Sequence, residues 1–326
     1  MEQQPVDVVG VGNAMVDVIS QAVDDFLVDE GMEKGAMTLI DEDRARHLYA
    51  GVQDALEASG GSAANTMAGI ASFGGTAAYI GKVSDDQLGK TFAEDMAQIG
   101  VSFDVPRATS GAATGRCLIY VTPDAQRTMN TFLGISALLE PDDVQPETVT
   151  SGAITFCEGY LYDMPTAKAS IRKAMEVAGA AGRKVAMTAS DSFCVERHHQ
   201  DFLDLIDGPI DILFANEAEL KALYHTDFES AVEILRPKVG LACLTRGKDG
   251  SLLVTADEVV EIKAEEIGPV VDTTGAGDQY AAGVLYGLAR DLPLPEVGRL
   301  GSMAAAEVIS HVGPRPLQPL SDFLDG

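Results

Sequence analysis

Asp272-Thr273-Thr274-Gly275-Ala276-Gly277-Asp278 is the stretch on which the reading of this chain turns. A largely apolar run, Ile267 to Val271, precedes it, and the apolar segment Gln279 to Leu288 follows at once. Tyr280, Val284, Leu285 and Leu288 fall on one helical stripe, so a turn of small residues opens a buried helix. Gly275 and Gly277 lack Cβ atoms and let backbone N–H groups converge on an anion. The helix N-terminus adds unpaired donors and the positive end of its dipole. A carboxylate beside a bound phosphate is unwelcome unless it has a task. Asp278 is therefore a candidate to take a proton from a hydroxyl that attacks the phosphate. The bland alternative is an ordinary first-turn acid, which helices favour anyway.

Outward from this motif, strands and helices alternate. Val6 to Val11 reads as a first strand, and Ala77–Ile80, Ala153–Cys157, Val185–Thr188, Ile210–Phe214 and Leu241–Leu244 as further ones. Helical patterns cover Glu42–Glu57, Ser62–Phe73, Gln87–Ile99, Pro165–Ala180, Phe193–Ile206 and Glu217–Tyr224. Such alternation implies a parallel sheet covered on both faces. Met15–Ile40 and Gly111–Leu133 break the rhythm with β-like alternation and read as an inserted small sheet.

Composition narrows the function classes. The 326 residues suit one large α/β unit with a small appendage, and hydrophobic residues at 46% are ample for a core. Lys and Arg number 23 against 50 Asp and Glu, a formal charge of −27. Such a surface repels nucleic acid and anionic membrane, so neither is expected as a partner. A phosphate site must then rely on local donors rather than on a global field. Met1-Glu2-Gln3-Gln4-Pro5 shows no basic or apolar leader pattern, and a cytoplasmic protein is expected. Cys117, Cys157, Cys194 and Cys243 are scattered without a CxxC pair and read as small buried hydrophobes. His198-His199 suggests a metal pair, but adjacent helical residues point apart, so both are expected at the surface.

Two competing phosphate devices fail on inspection. Gly10-Val11-Gly12-Asn13 after the first strand lacks the third glycine of a dinucleotide fingerprint, and a strand-like Val16-Asp17-Val18-Ile19 follows. Ser84-Asp85-Asp86-Gln87-Leu88-Gly89-Lys90-Thr91 ends like a Walker A loop, but Ser84 replaces its first glycine and two aspartates would face phosphate. A helix start capped by Asp85 or Asp86 fits that string better. Gly60-Gly61-Ser62-Ala63-Ala64-Asn65 reads two ways at once. Ser62 is an N-cap after a glycine turn, and the same glycines let backbone touch a ligand at which Asn65 points.

The Gly60–Asn65 string and the Asp272–Asp278 run, in this order and at this distance, are the two signatures of the ribokinase-like (PfkB) family of carbohydrate and nucleoside kinases. The chain resembles that family from about Val6 to Pro316. The resemblance implies a ribokinase-like three-layer α/β/α domain with a mostly parallel central sheet and a small β-sheet lid. The lid is expected in segments 14–40 and 108–134, and the large domain in 1–13, 41–107 and 135–326. It also implies ATP-dependent phosphotransfer, with Asp278 as general base and the N–H groups of Gly275, Ala276 and Gly277 as anion hole. Arg127 matches a position that reaches the transferred phosphoryl group, a task suited to a guanidinium fork.

By the same resemblance, Asn13, Asp17, Gly61, Ser62 and Asn65 belong to the acceptor site, where a carboxylate and amides suit vicinal hydroxyls. Asn216 and Glu219, three apart after the strand, match an element that orders Mg²⁺, water and phosphate, with Glu219 reaching the metal through water. An N-cap with an acidic first turn explains that string equally well. Leu244 to Val254 reads as a hairpin, and the resemblance lays Thr245 and Gly247 against the ATP. The implied cofactors are ATP and Mg²⁺, with a monovalent cation such as K⁺ as a further candidate. Monomer and homodimer both stay open, since lid edge strands are free to pair.

Ribose, fructose phosphates, deoxysugar acids and nucleosides all remain conceivable acceptors on this fold. Several strings resemble the adenosine kinase branch. Tyr160 aligns with a residue that stacks on a purine, Met129, Phe132 and Leu133 would wall the lid, and Asp211 to Glu217 has that branch's character. A nucleoside, adenosine first, is thus expected, with a free or phosphorylated sugar as the alternative and a non-catalytic sensor as a remote one. Gln279-Tyr280 departs from the small residue and Phe of many relatives.

Overall fold

Two sheets organise the chain. The computed structural model describes residues 5–52, 54–124 and 126–324. In chain order the strands are β1 (Val6–Val11), β2 (Met15–Gln21), β3 (Met37–Leu39), β4 (Leu56–Gly60), β5 (Ala77–Ile80), β6 (Val101–Ser102) and β7 (Gly115–Val121). They continue with β8 (Arg127–Phe132), β9 (Gly152–Glu158), β10 (Lys184–Thr188), β11 (Ile212–Asn216), β12 (Leu241–Thr245), β13 (Ser251–Val254) and β14 (Val259–Ile262). Nine form the central sheet in the order β14-β13-β12-β11-β10-β9-β1-β5-β6. From β6 to β12 it is parallel, and β13 and β14 close one edge as antiparallel hairpins.

Successive strand side chains point to opposite faces, and the two cores follow that alternation. Val9, Val11, Val185, Met187, Leu213 and Leu244 face a core built with the helices Pro165–Ala180, His199–Ile206 and Phe228–Leu235. Val8, Phe156, Ala186, Ile212, Phe214 and Cys243 face the other core, built with Ser62–Ser72, Gln87–Gln98, Ala276–Leu288 and Leu294–Ile309. The ribokinase-like three-layer α/β/α fold is thus present, and all parallel strands present their carboxyl ends to one edge. Ligands of open α/β sheets bind outside that edge.

The second, five-stranded sheet runs β3-β8-β7-β2-β4. β4 lies outside the expected lid segments. It occupies part of what the periodicity assigns to a helix ending at Glu57, whereas the helix stops at Ala50. β4 is an edge strand paired antiparallel to β2, Met15↔Gly60 through Ile19↔Leu56, and its sequence carries no β-branched residue to announce it. The expected helix Phe193–Ile206 is two helices, Ser192–Arg197 and His199–Ile206, meeting at the non-helical His198. His198 and His199 are half-buried rather than on the surface. His198 pairs with Asp163 at 2.7 Å, and His199 Nε2 meets the Leu223 carbonyl at 2.8 Å. Asp86 caps the helix Gln87–Gln98 by accepting from the Gly89 N–H, as the rejected Walker string predicts. All four cysteines are free and buried. No helix among the described residues is long and apolar enough to cross a membrane. Met1–Gln4, on which the leader reading rests, lies outside the described residues.

Candidate active site

The anion loop is held from both sides. Asp272 Oδ1 accepts from the N–H and hydroxyl of Thr274, and Asp272 Oδ2 accepts from the Gly313 N–H and pairs with Arg127 Nη1 at 2.8 Å. Gly275 caps the helix Ala276–Leu288 with φ +78°, and an added Cβ would stand 2.6 Å from the Pro314 backbone, so glycine is required there. Gly277 faces open space. The loop borders a cavity of about 360 Å³ that Ser62, Tyr160, Asn216, Glu219 and Asp278 also line. Thr245, Thr273, Ala276, Gly277 and Tyr280 belong as well to a neighbouring cavity of about 390 Å³, mostly apolar, reaching Gly247, Val270 and Ile309. One continuous cleft thus has a polar, donor-rich middle and an apolar end.

Asp278 accepts from Ser62 Oγ at 2.6 Å and from Asn65 Nδ2 at 3.1 Å. Burial raises its pKa, and the bonds from Ser62 and Asn65 and the charge of Arg315 oppose that rise. Ser62 is therefore not the N-cap. Gly61 is, at φ +100°, with no room for a Cβ that would meet the Asn13 carbonyl at 2.2 Å. On the second sheet, Asp17 of β2 has its pKa pushed up to about 6, first by burial, with Arg315 and Arg127 pulling it down.

Glu158, at the end of β9, is a residue the sequence reading missed. Its Oε1 accepts from the Asn13 N–H at 2.7 Å and from Asn13 Nδ2 at 2.6 Å, while Oε2 accepts from the Ala63 N–H at 3.0 Å. It is 1% exposed, and burial pushes its pKa up to about 7 against those bonds. The only signal was an acidic residue closing an otherwise apolar strand.

The other expected site residues divide. Asn216 and Glu219 form a complete capping box. Asn216 N–H and Nδ2 donate to the Glu219 carboxylate, and Glu219 N–H donates back to Asn216 Oδ1. Burial pushes the Glu219 pKa up to about 7. Arg127 reaches the Asp272–Asp278 loop but spends Nη1 on Asp272 and Thr274 and leaves Nη2 buried without a partner among the described residues. Tyr160 lines the phosphate-side cavity, its hydroxyl donating to the Ser190 carbonyl at 3.3 Å. Phe132 turns away from Asp17. Its cross-strand partner is Arg116, whose guanidinium lies over its ring, on the opposite lid face from Asp17. The face bearing Asp17 carries Ile19, Cys117, Ile119 and Met129 instead.

The pfkB family carbohydrate kinase profile matches residues 41–320, so the chain belongs to that family. It is a nucleoside or sugar kinase, an ATP-dependent phosphotransferase. It is 48% identical to the structure of adenosine kinase from Sinorhizobium meliloti, over 98% of this chain and 99% of that one, with a TM-score of 0.90. A probable sugar kinase protein from Rhizobium etli CFN 42 is 44% identical over 99% and 98% of the two chains, with a TM-score of 0.91. A fructokinase of Klebsiella pneumoniae is 28% identical over 72% of this chain and 78% of its own.

Proposed function

We propose that the chain transfers the γ-phosphoryl group of ATP to the primary hydroxyl of a nucleoside, adenosine being the first candidate, to give AMP. The observation that carries the reading is Asp278, presented by Ser62 and Asn65 beside the Gly275–Gly277 backbone at a helix N-terminus. The likeness to the Sinorhizobium meliloti adenosine kinase supports the choice of acceptor. So does the apolar lid face of Ile19, Cys117, Ile119 and Met129 beside Asp17, which suits a base next to a ribose. Charge adds a further argument. Asp17, Glu158 and Asp278 outnumber the two cations that act on Asp17, Arg315 and Arg127, and each cation is also paired with a further carboxylate, Asp95 and Asp272. A phosphorylated sugar or a sugar acid would meet net negative charge there, so the acceptor is neutral.

In this reading Asp17 and Asn13 hold the sugar hydroxyls, and Glu158 fixes Asn13 in place. The acceptor O–H gives its proton to Asp278 as its oxygen bonds to phosphorus, and ADP leaves. The N–H groups of Gly275 and Gly277, with Arg127, meet the developing charge, joined by that of Ala276 once it leaves the Thr273 carbonyl. The lid face excludes water that would otherwise hydrolyse ATP. Glu219 has both oxygens engaged by Asn216, a donor set that fits Mg²⁺ carried on the nucleotide and met through water rather than caged by protein. That ion would neutralise charge between the β- and γ-phosphates. A neutral sugar is the second reading, favoured by the fructokinase relative.

The test is ADP release from MgATP, with and without K⁺, across adenosine, inosine, guanosine, ribose, fructose and 2-keto-3-deoxygluconate. Turnover with adenosine alone supports the proposal. Turnover only with a sugar replaces it with the second reading, and silence throughout removes both.

A further inference from the structure

Arg315 and Gln279 lie outside both signature motifs, yet they join the helix bearing Asn65 to the base. Arg315 sits between Pro314 and Pro316 in the loop after the helix Leu294–Ile309. Its Nη1 pairs with Asp95 Oδ2 at 2.9 Å, and that carboxylate is itself fixed by the N–H and hydroxyl of Ser59. Its Nε donates to Asn65 Oδ1 at 3.3 Å, and Nη2 is buried without a partner among the described residues. Gln279 braces the arrangement, since its Nε2 donates to both the Asn65 and the Pro314 carbonyls at 3.0 Å.

The chemistry of the pair is directional. A guanidinium has only donors, so the Asn65 amide must turn its oxygen toward Arg315. Its nitrogen is then committed to Asp278 Oδ2, at 3.1 Å, and an ionised carboxylate can only accept. Without Arg315 the amide is free to flip and present its oxygen to the base. Charge acts in the same sense. Asp278 faces Asp17 from the lid and Glu158 and Tyr160 from the end of β9, while Arg127 enters from β8 already paired with Asp272. Arg315 acts on Asp17 and Asp278 alike.

We propose that Arg315, anchored by Asp95 and braced by Gln279, is a positioning residue of the transfer: it locks the Asn65 amide against Asp278 and supplies positive charge to the acceptor carboxylates. The proposal rests on Asp278 being the base.

Its test is the pH dependence of kcat and kcat/KM for the intact chain and for Arg315→Met, Arg315→Lys and Asp278→Asn, with adenosine or whichever acceptor turns over. Loss of a cation near a carboxylate raises its pKa, so the acid limb of Arg315→Met should move up by ~1 pH unit. Its KM for ATP should be unchanged. Arg315→Lys restores charge but not the fork, so its acid limb should stay in place while kcat drops about 10-fold. A structural role alone would lower the melting temperature and leave the acid limb of Arg315→Met where it was, which overturns the proposal. Should Arg315→Met fail to fold, an undiminished kcat in Arg315→Lys overturns it instead. An Asp278→Asn enzyme at full rate removes the base assignment and the proposal with it. An inactive Asp278→Asn beside an unmoved Arg315→Met removes the proposal alone.

Discussion

In the proposed reading, the nucleotide side of the cleft is built largely from backbone, and the acceptor side from buried ionisable side chains. On the first, Gly275 and Gly277 stand at a helix start where the Ala276 N–H donates to the Thr273 carbonyl at 3.2 Å, and Asn216 and Glu219 satisfy each other. On the second, Asp17, Glu158, Asp278 and Arg315 come from four segments and lie close enough for the charges of Asp278 and Arg315 to act on their neighbours. Backbone donors have no pKa and hold phosphate over a wide pH range. Side-chain carboxylates give directional contacts to hydroxyls but titrate, so the acceptor side should carry much of the pH dependence of the enzyme, beside Glu219, whose pKa burial pushes up to about 7. The sharpest break of this comparison is Asp278→Asn. We expect kcat to fall by ~10²-fold or more with acceptor KM little changed, because acid–base help is lost while binding contacts stay. Steady-state kinetics read both, and a near-wild-type kcat would give catalysis back to the backbone side.

Gly275→Ala probes the opposite side and comes next in size. At φ +78° with the Pro314 backbone 2.6 Å from the new Cβ, either the loop distorts or Pro314 moves. The strain costs roughly 1–3 kcal/mol, seen as a lower denaturation midpoint. Since the Pro314 carbonyl receives Gln279 and Arg315 follows it, both halves should suffer, with kcat down ~10-fold or more from the lost anion hole. A variant stable and active as the parent would show that the two halves are independent.

Asp17→Asn separates affinity from stability. Asp17 has its pKa raised from 3.8 to about 6, chiefly by burial. A raised carboxylate pKa means that the folded chain resists ionisation. That cost is absent below the unfolded value and accrues as pH rises through about 6. Asparagine removes it, so the variant should gain up to about 3 kcal/mol near pH 8 and nothing near pH 4. Its acceptor KM should rise all the same. The wild-type acceptor KM should climb as pH falls through about 6. Denaturant titrations at the two pH values decide. Equal stability of both proteins at high pH would mean that Asp17 is solvated, and that the acceptor side is less dry than its geometry implies.

The same division explains what could be read in the chain. Backbone sites write themselves locally, because the positive φ of Gly61 and Gly275 favours glycine, and the helices after them have a visible apolar period. The central strands were legible for a similar reason, being continuous apolar runs buried on both faces. β4 was not, since Leu56-Glu57-Ala58-Ser59-Gly60 is an edge strand whose partner, β2, is remote in sequence. Glu158, Arg315 and Asp95 were illegible for the strongest reason. Each gains its meaning from a partner dozens to hundreds of residues away, and a lone charged residue carries no period. Phe132 shows the converse. Its aromatic character suited a wall, but the strand register turns it away from Asp17, and one residue of register decides the face.

The smallest effect expected is on thiol labelling, and it reads the lid directly. Burial pushes the pKa values of Cys117 and Cys157 up to about 12, so a thiolate-seeking reagent should find almost nothing in the closed, native chain. The two thiols differ in what must open. Cys117 lies on the lid face beside Asp17, with Thr131 Oγ1 donating to its sulfur at 3.3 Å, and separation of lid from domain is enough to bare it. Cys157 sits in the central sheet between layers of helix, and exposing it means taking the core apart, whereas Cys243 borders the cavity beside Asp278. Local opening needs less free energy than global unfolding. Cys117 should therefore react before Cys157, and a bound acceptor should slow it while leaving Cys157 unaffected. Mass spectrometry of timed labelling tells the sites apart. If all four react together at the rate of unfolding, the lid and the domain open as one unit, and the acceptor side is closed by the whole fold rather than by its lid.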